Sequence, residues 1–445
     1  MEKLRVHIRT YGCQMNERDS ENVAAQFKAR GYIVTDDEYS ADAIFVNTCS
    51  VRESAELKAA GKLGYIVARK KKSDKGYPIT GVFGCMVQNL GKGLIKKIPK
   101  LDIVAGTWHT PYLVDYLEEF LANGKRIVRL GEDETSHEKI NMHLPENNNT
   151  VKYVSIMQGC SMKCSYCIVP YTRGRERSRP MDDIILEIEN LAKGGTKEIC
   201  LLGQVVNAYG RGMPIIDGIS PFVQLLRRIN AIEGIERIRF TSPHPSFFRD
   251  DLINSYGELE KLCEYVHLPM QSGSPEVLKR MKRPYQAERF KEIADALRAR
   301  VPNMSISTDI IVGFPKETEE DFQKTVELFK YCNFDMAYIF KYSPRKGTPS
   351  AEELDDIPEA EKERRNQILL DILQTQSVDF NEKLLGTTQE VLFEAPAKRG
   401  DGVCVGRTRT HRKVFAKLDP SRIGTLVNIR IETASVSAMT GIVGA

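Results

Sequence analysis

Three cysteines stand close together in the stretch Met157-Gln158-Gly159-Cys160-Ser161-Met162-Lys163-Cys164-Ser165-Tyr166-Cys167. Their spacing is Cys-x3-Cys-x2-Cys, directly after an apolar, strand-like run at 151–156, and no further Cys or His follows until Cys200. A structural zinc site asks for four ligands, and a ferredoxin run supplies a fourth cysteine nearby. Three thiolates suit three irons of a cubane cluster, with the fourth iron left to a non-protein ligand. The residues beyond the loop limit the fold. Helical and strand periods alternate through 340: helix 181–193, strand 198–202, helix 220–230, strand 237–240, a helix after Asp250, strand 265–268, helices 274–281 and 287–300, strand 305–312, helix 319–331 and strand 336–340. With the strand before the cysteines this makes about six βα units, too few for a closed eight-stranded barrel.

The first third also alternates. Strand-like runs at 4–10, 43–47 and 79–83 end at Gly12-Cys13, Thr48-Cys49 and Gly84-Cys85, with helical patterns at 19–29 and 54–70 between them. A fourth strand at 102–106 and a helix at 112–121 complete the region. Such alternation implies a parallel sheet with right-handed crossovers. Loops after the strand C-termini then share one edge, where open α/β sheets bind ligands. Cys13, Cys49 and Cys85, 36 residues apart in each interval, should therefore converge. Singly each reads as a small buried hydrophobe; together they read as a second three-ligand iron–sulfur site.

The Cys160–Cys167 loop, with Tyr166 before its last cysteine, resembles the radical S-adenosylmethionine (SAM) superfamily. The resemblance implies that SAM chelates the open iron and that an electron from the cluster splits it into methionine and a deoxyadenosyl radical. Thr10-Tyr11-Gly12-Cys13-Gln14-Met15-Asn16, Asp19-Ser20-Glu21, Asn47-Thr48-Cys49 and Gly84-Cys85-Met86 resemble the methylthiotransferases within it. They are nearest the MiaB-type branch, which acts on tRNA. Gln14-Met15 matches neither the branch that modifies a ribosomal protein nor the one acting on threonylcarbamoyl-adenosine. The resemblance implies two 4Fe–4S clusters, the one on Cys160, Cys164 and Cys167 binding SAM and the one on Cys13, Cys49 and Cys85 auxiliary.

Several loops after the central strands are unusually marked: 203–209, Ser242-Pro243-His244-Pro245, Pro269-Met270-Gln271-Ser272-Gly273-Ser274, and 309–318. The family has counterparts to all four, with two departures here: Val205 where Asn is usual and Lys316 where Gly is usual. Loop position and family pattern point to backbone near Tyr166 and Gly313, and to Gln271, Ser272 and Asp309, as SAM contacts. His244 is a proton acceptor by residue type, or structural between its prolines. The four arginines from Arg173 to Arg179 suit phosphate or the SAM carboxylate, because the guanidinium fork pairs bidentately with such anions. Cys200, Cys263 and Cys332 sit in or beside apolar runs and read as core.

A polar stretch at 131–149 reads as a linker, and 69–72 as a basic helix end that could touch RNA. After a helix at 357–380 the period changes to short alternating strands with Gly and Pro turns, as expected for a small β-barrel. Lys398, Arg399, Arg407, Arg409, Arg412, Lys413 and Lys417 face only Asp401 over residues 397–417, a larger positive excess than the +4 of the whole chain. Such a patch is an electrostatic footprint for nucleic acid, and the segment resembles the TRAM domain, an RNA-binding barrel.

The 445 residues are 41% hydrophobic and 28% charged, with ten cysteines. That composition suits a globular chain and is too poor in cysteine for a disulfide scaffold. No apolar run reaches the roughly 18 residues of a membrane helix, and no leader pattern precedes the first strand. The expected protein is an α/β enzyme of the cytoplasm, reduced and monomeric. It has an N-terminal parallel-sheet domain at 1–145, a partial (β/α)6 barrel at 146–378 and a small β-barrel at 379–445. Its expected partners are tRNA bearing isopentenyl-adenosine and an electron donor such as flavodoxin or ferredoxin. The alternatives are a threonylcarbamoyl-adenosine substrate and an RNA-binding redox sensor that does not turn over.

Overall fold

A computed structural model describes residues 4–51, 53–69, 78–133 and 150–444. The basic run at 70–72 and most of the expected linker lie outside the described residues. The chain divides into two compact units. The first comprises residues 1–146, 158–162 and 167–179; the second comprises 147–157, 163–166 and 180–445.

In the first unit, β1 (Arg5–Thr10), α1 (Gln14–Ala29), β2 (Ile33–Val34), β3 (Ala43–Thr48), α2 (Glu53–Arg69), β4 (Ile79–Gly84), α3 (Cys85–Leu90), α4 (Lys92–Lys97), β5 (Ile103–Ala105), α5 (Leu113–Asn123) and β6 (Ile127–Arg129) follow in order. The strands form one parallel sheet in the order β2-β1-β3-β4-β5-β6. Central β3 is buried at every residue, as helices on both faces of a parallel sheet require. Val46, Leu63 and Val82 pack on one face, and Phe27, Phe45, Phe83 and Leu117 on the other. The sequence periods anticipate four of these strands. The two residues of β2 are too few to show alternation, and β6 is the other strand left unread.

Next come β7 (Val151–Ser155), β8 (Met157–Gln158), α6 (Val169–Arg173) and β9 (Arg177–Ser178). The second unit continues through α7 (Met181–Lys193), β10 (Glu198–Leu202), α8 (Pro221–Asn230), β11 (Arg237–Phe240), α9 (Asp250–Ser255), β12 (Tyr265–His267), α10 (Pro275–Arg280), α11 (Ala287–Arg300), β13 (Ser305–Val312), α12 (Glu319–Cys332) and β14 (Met336–Lys341). Strands β7, β10 and β11 form one parallel sheet and β12, β13 and β14 another. A parallel bridge between Ile238 and Leu262 lies where the two sheets meet. This is the six-stranded partial barrel. Ile199, Leu201, Ile238, Ile306 and Ile310 belong to the apolar core with the helices. Residues of the other parity, Glu198, Arg239, Tyr265, His267, Ser307 and Asp309, hydrogen-bond among themselves on the opposite face.

The long helix α13 (Glu359–Glu382) leads into β15 (Thr388–Pro396), β16 (Val403–Thr408), β17 (Lys413–Lys417), β18 (Leu426–Ala434) and β19 (Met439–Val443). These close in the order β15-β16-β17-β19-β18 around Val391, Phe393, Cys404, Val414, Ile429 and Met439. Among the described residues no helix is long and apolar enough to cross a membrane.

Candidate active site

Cys13, Cys49 and Cys85 follow the C-terminal ends of β1, β3 and β4, which are neighbours in the sheet. An amide network fixes two of these loops to one another. Asn16 Nδ2 donates to Asn47 Oδ1 at 2.9 Å and to the Thr48 carbonyl at 3.1 Å. Asn47 Nδ2 donates to the Asn16 carbonyl at 2.8 Å and to Ser20 Oγ at 2.9 Å. The network explains two glycines of the cysteine motifs. A Cβ at Gly12 would lie 2.4 Å from Asn16 Oδ1, and one at Gly84, whose φ is +101°, would lie 2.5 Å from Asn47 Oδ1. Cys49 and Cys85 are buried and Cys13 is half-buried. Hydrogen bonding from Cys49 is the largest influence on Cys13 and brings its thiol down to about 5 against the opposing effect of burial. Burial raises the Cys85 thiol.

Among the described residues no three His, Cys, Asp or Glu side chains are placed to hold a single metal ion. A cubane asks for something different, one thiolate on each of three irons. Three thiols at one sheet edge, two of them interacting, suit that donor set.

The arginine-rich segment is used differently from its sequence reading. Arg173 does not present its guanidinium as a surface anion site. It is buried, donates from Nη2 to Asp19 Oδ2 at 2.8 Å, and interacts with Cys85 and Cys13. Arg177 stacks over Trp108, its guanidinium carbon 3.9 Å from the ring centroid. The Thr107 hydroxyl donates to the Thr172 carbonyl. Arg179 is buried and only Arg175 is exposed.

In the three-cysteine loop, Cys160 and Cys164 are buried and Cys167 is half-buried. The Cys160 amide donates to the Gly174 carbonyl at 2.9 Å, and the Met162 amide points at Cys160 Sγ at 3.4 Å. Within the second unit, Ser165 is tied by its amide to the Met281 carbonyl and by its hydroxyl to the Arg280 carbonyl. Arg283 Nη1 lies 3.6 Å from Cys164 Sγ. Sequence reading missed Arg283, since nothing in its local pattern marks it. Tyr166 meets Phe314 edge-on at 6.5 Å.

The other expected SAM contacts lie at the C-terminal ends of β12 and β13. Gln271 is buried with φ +65° and exchanges backbone hydrogen bonds with Asp309 and Ile311. Asp309 Oδ2 lies 3.2 Å from His267 Nε2. The Ser272 hydroxyl is used inside the protein, with Thr325 Oγ1 at 3.1 Å and the Ser274 amide at 3.2 Å. The Gly313 amide is committed to Glu317 Oε2 at 2.6 Å, and Glu317 pairs with Arg365 at 2.7 Å. Lys316 has φ +65°, so the lysine holds the left-handed geometry that the family's glycine would adopt freely. Val205 is buried, so an apolar side chain suits its site.

His244 is 2% exposed. Its Nδ1 accepts from the Ser246 amide at 3.1 Å, so the neutral ring carries its proton on Nε2. Asn207 clamps the His244 backbone from both sides, at 2.8 and 3.0 Å. Burial and the Arg283 charge hold the imidazole down to about 2. The ring is therefore a fixed donor, not the proton acceptor its residue type suggests.

The basic segment of the small barrel divides in two. Lys398, Arg399, Lys413 and Lys417 are exposed. Arg409 instead grips Glu264 at 2.8 Å and the carbonyls of Glu260 and Leu262. Arg412 pairs with Asp335 and with Asn381 Oδ1, and Arg407 pairs with Glu394 at 3.2 Å. The turn between β16 and β17 docks on the N-terminal ends of the central strands. There Arg237 reaches the Arg407 carbonyl, Arg239 reaches those of Thr408 and Arg409, and His411 stacks on Tyr265 at 4.7 Å.

Models of three families match the chain: the radical SAM superfamily at residues 154–329, the uncharacterized protein family UPF0004 at 5–106 and the TRAM domain at 382–436. The radical SAM match implies a 4Fe–4S cluster and SAM. A solved radical SAM methyltransferase, TsrM of Kitasatospora setae, shares the fold with a TM-score of 0.58 at 14% identity, over 78% of this chain and 74% of that one. The cobalamin-dependent radical enzyme OxsB superposes with a TM-score of 0.52 at 11% identity, over 86% of this chain and 56% of that one. Proteins named tRNA-2-methylthio-N(6)-dimethylallyladenosine synthase are far closer. That of Opitutus terrae is 50% identical over 98% of this chain and 97% of its own length, and that of Akkermansia muciniphila is 44% identical over 98% of each. A third, from Methylacidiphilum infernorum, is 46% identical over 96% of this chain and 92% of its own. With its cysteine loop, its converging cysteines and its closing barrel, the chain belongs to the family of tRNA-2-methylthio-N(6)-dimethylallyladenosine synthases.

Proposed function

We propose that the protein adds a methylthio group to carbon 2 of N6-isopentenyladenosine at position 37 of tRNA, beside the anticodon, consuming two SAM. The C2–H bond has no acidity that a general base can exploit, so the reaction needs a radical. Cys160, Cys164 and Cys167 would hold a 4Fe–4S cluster that, with SAM, would supply it. Cys13, Cys49 and Cys85 would hold the auxiliary cluster, which would supply the site for the sulfur and its methyl group. The observation that carries this reading is the convergence of those three cysteines at the ends of adjacent strands in a chain of this family.

The protein's own residues bind, orient and exclude water. Tyr166, Gln271, Asp309 and the Gly313 turn border the SAM site, and Ser272 shapes the loop from within. Lys398, Arg399, Lys413 and Lys417 contact the RNA backbone. Residues 1–145, 146–378 and 379–445 act as sulfur-carrying, radical-generating and RNA-holding modules of a cytoplasmic monomer that takes electrons from a flavodoxin or ferredoxin.

The test is anaerobic turnover of reconstituted protein with SAM, reductant and tRNA bearing isopentenyl- or threonylcarbamoyl-adenosine, followed by nucleoside mass analysis. A methylthio gain only on the isopentenyl substrate is expected. A gain only on the other would overturn the substrate. No gain on either, and no deoxyadenosine from a fully loaded protein, would identify a sensor. Cys13→Ala, Cys49→Ala and Cys85→Ala variants should still release deoxyadenosine but form no methylthio product. Cys160→Ala, Cys164→Ala and Cys167→Ala should abolish both.

A further inference from the structure

We propose that Arg173 is a positioning residue of the auxiliary site, supplying a fixed positive charge and a hydrogen-bond donor to the sulfur held by Cys13, Cys49 and Cys85. The inference rests on the reading that these cysteines hold a cluster.

Arg173 ends the short helix α6, far in sequence from all three cysteines, yet it lies in the same compact unit. Its side chain is 3% exposed and its Nη2 is anchored on Asp19. Asp19 belongs to the same motif as Cys13, six residues further along α1. The other terminal nitrogen, Nη1, is buried and meets no oxygen or nitrogen acceptor, while the guanidinium hydrogen-bonds toward the Cys85 thiol. The guanidinium interacts with the Cys85 and Cys13 thiols. A buried, charged donor with only thiol neighbours is poorly satisfied, so it points to a more strongly accepting group that completes its environment. A cubane with three thiolates is net negative and becomes more so on reduction. Sulfide, persulfide or methylthiolate at its open iron are soft anionic acceptors. A guanidinium held by a carboxylate on one side and facing thiolates on the other suits such a group, and hydrogen bonds to cluster sulfurs are a main lever on reduction potential. The rigid fork also fixes the direction of donation, which a lysine ammonium does not.

Positive charge beside the cluster favours the reduced, more negative state and raises its potential. Asp19 opposes this. Removing Arg173 should therefore lower the potential, and neutralising Asp19 should raise it. A residue that merely packs the site would give no such opposition.

The test uses the full chain carrying Cys160→Ala, Cys164→Ala and Cys167→Ala, so that any cluster left is auxiliary. The protein is reconstituted with iron and sulfide and titrated electrochemically with an electron paramagnetic resonance readout. About four irons per chain, lost on adding Cys13→Ala, are expected. Little iron before that change, or iron kept after it, would sink the auxiliary-cluster reading itself and the inference with it, without a measurement on Arg173. With the cluster present, Arg173→Gln should change the ratio of reduced to oxidised cluster at fixed potential at least tenfold toward oxidised, about 59 mV for one electron. Asp19→Asn should move it the other way, and Arg173→Lys should restore most of the potential. If Arg173→Gln fails to load, an upward shift in Asp19→Asn with near-normal Arg173→Lys still supports the inference. Unchanged potentials, shifts of one sign in both neutralising variants, or loss of iron in all three would overturn it and leave Arg173 as scaffold.

Discussion

The two ends of the six central strands are built on opposite terms. At the N-terminal ends four arginines are paired with acids, Arg239 with Glu198 and Arg412 with Asp335 mostly buried, Arg237 with Glu390 and Arg409 with Glu264 partly exposed. At the C-terminal ends left-handed backbone recurs on the loops that follow the strands. Ser242, Gln271 and Lys316 hold φ of +59°, +65° and +65°, and His244 Nε2 is buried without a partner. Each such φ costs a non-glycine residue on the order of 1–2 kcal/mol. Conformations like these persist where the surrounding fold over-determines them, and they gather at functional sites. The ion pairs at one end fit a stabilising role, and the left-handed loops at the other fit the proposed ligand site.

The largest expected effect is at the stable end. Arg412→Ala leaves Asp335, 5% exposed at its side chain, buried and unpaired. That should lower unfolding free energy by about 3–5 kcal/mol, read as a drop in denaturant midpoint. Deoxyadenosine release per folded, loaded molecule should stay near wild type. If the variant were stable but lost that release, the division between the ends would fail. The exposed cations give the contrast. Lys398→Ala or Lys417→Ala should change stability by less than about 0.5 kcal/mol. Each should reduce the slope of log tRNA affinity against log salt by about 1.

This contrast also marks what the sequence disclosed. Strand ends at cysteines were legible, because apolar runs and the residues that stop them are local. So were the six βα units and the closing barrel. The roles of Arg407, Arg409 and Arg412 were not. A basic strand reads the same whether its side chains meet solvent or the acids at the start of a distant strand, and Glu264 and Asp335 lie more than 70 residues away. Ser272 shows the same limit: its position on a strand-end loop is visible in the sequence, but its partner Thr325, on α12, is not. Arg173 was visible as an arginine and hidden as a neighbour of Cys85, since the contact closes over most of a domain in sequence.

A second, smaller effect tests the ligand end. His244 is neutral when folded, with its pKa held to about 2, against about 6.5 unfolded. The unfolded state therefore binds the additional proton. Its contribution to stability is fully present above pH 6.5 and is lost as pH falls toward 2. Between pH 6 and 4 this one group should remove up to about 1.4 kcal/mol per pH unit. The difference between wild type and His244→Gln, measured in denaturant at several pH values, isolates it. A parallel pH dependence in the two proteins would show that His244 is protonated in the folded state, and that its Nε2–H is not the fixed donor described.

The smallest effect is the most specific. Lys316 keeps a left-handed backbone while its amide donates to Asp356 Oδ1 at 2.8 Å and its carbonyl accepts from Arg280. Its ammonium pairs with Glu353 at 3.4 Å, largely exposed, so that pair contributes little. Replacing Lys316 by Gly removes the Cβ penalty of about 1–2 kcal/mol but adds freedom to the unfolded chain worth about 0.4–1 kcal/mol. The sum is a gain of up to about 1.6 kcal/mol, measured as a raised denaturant midpoint with unchanged slope. Gain without loss of SAM binding would mean that the strain at this turn is incidental to the ligand site. Gain with weakened SAM binding would mean that the lysine turn is held strained because its shape is part of the site. A loss of stability would mean that the neighbouring hydrogen bonds already relieve the strain, and the contrast between the two strand ends would then rest on Ser242, Gln271 and His244.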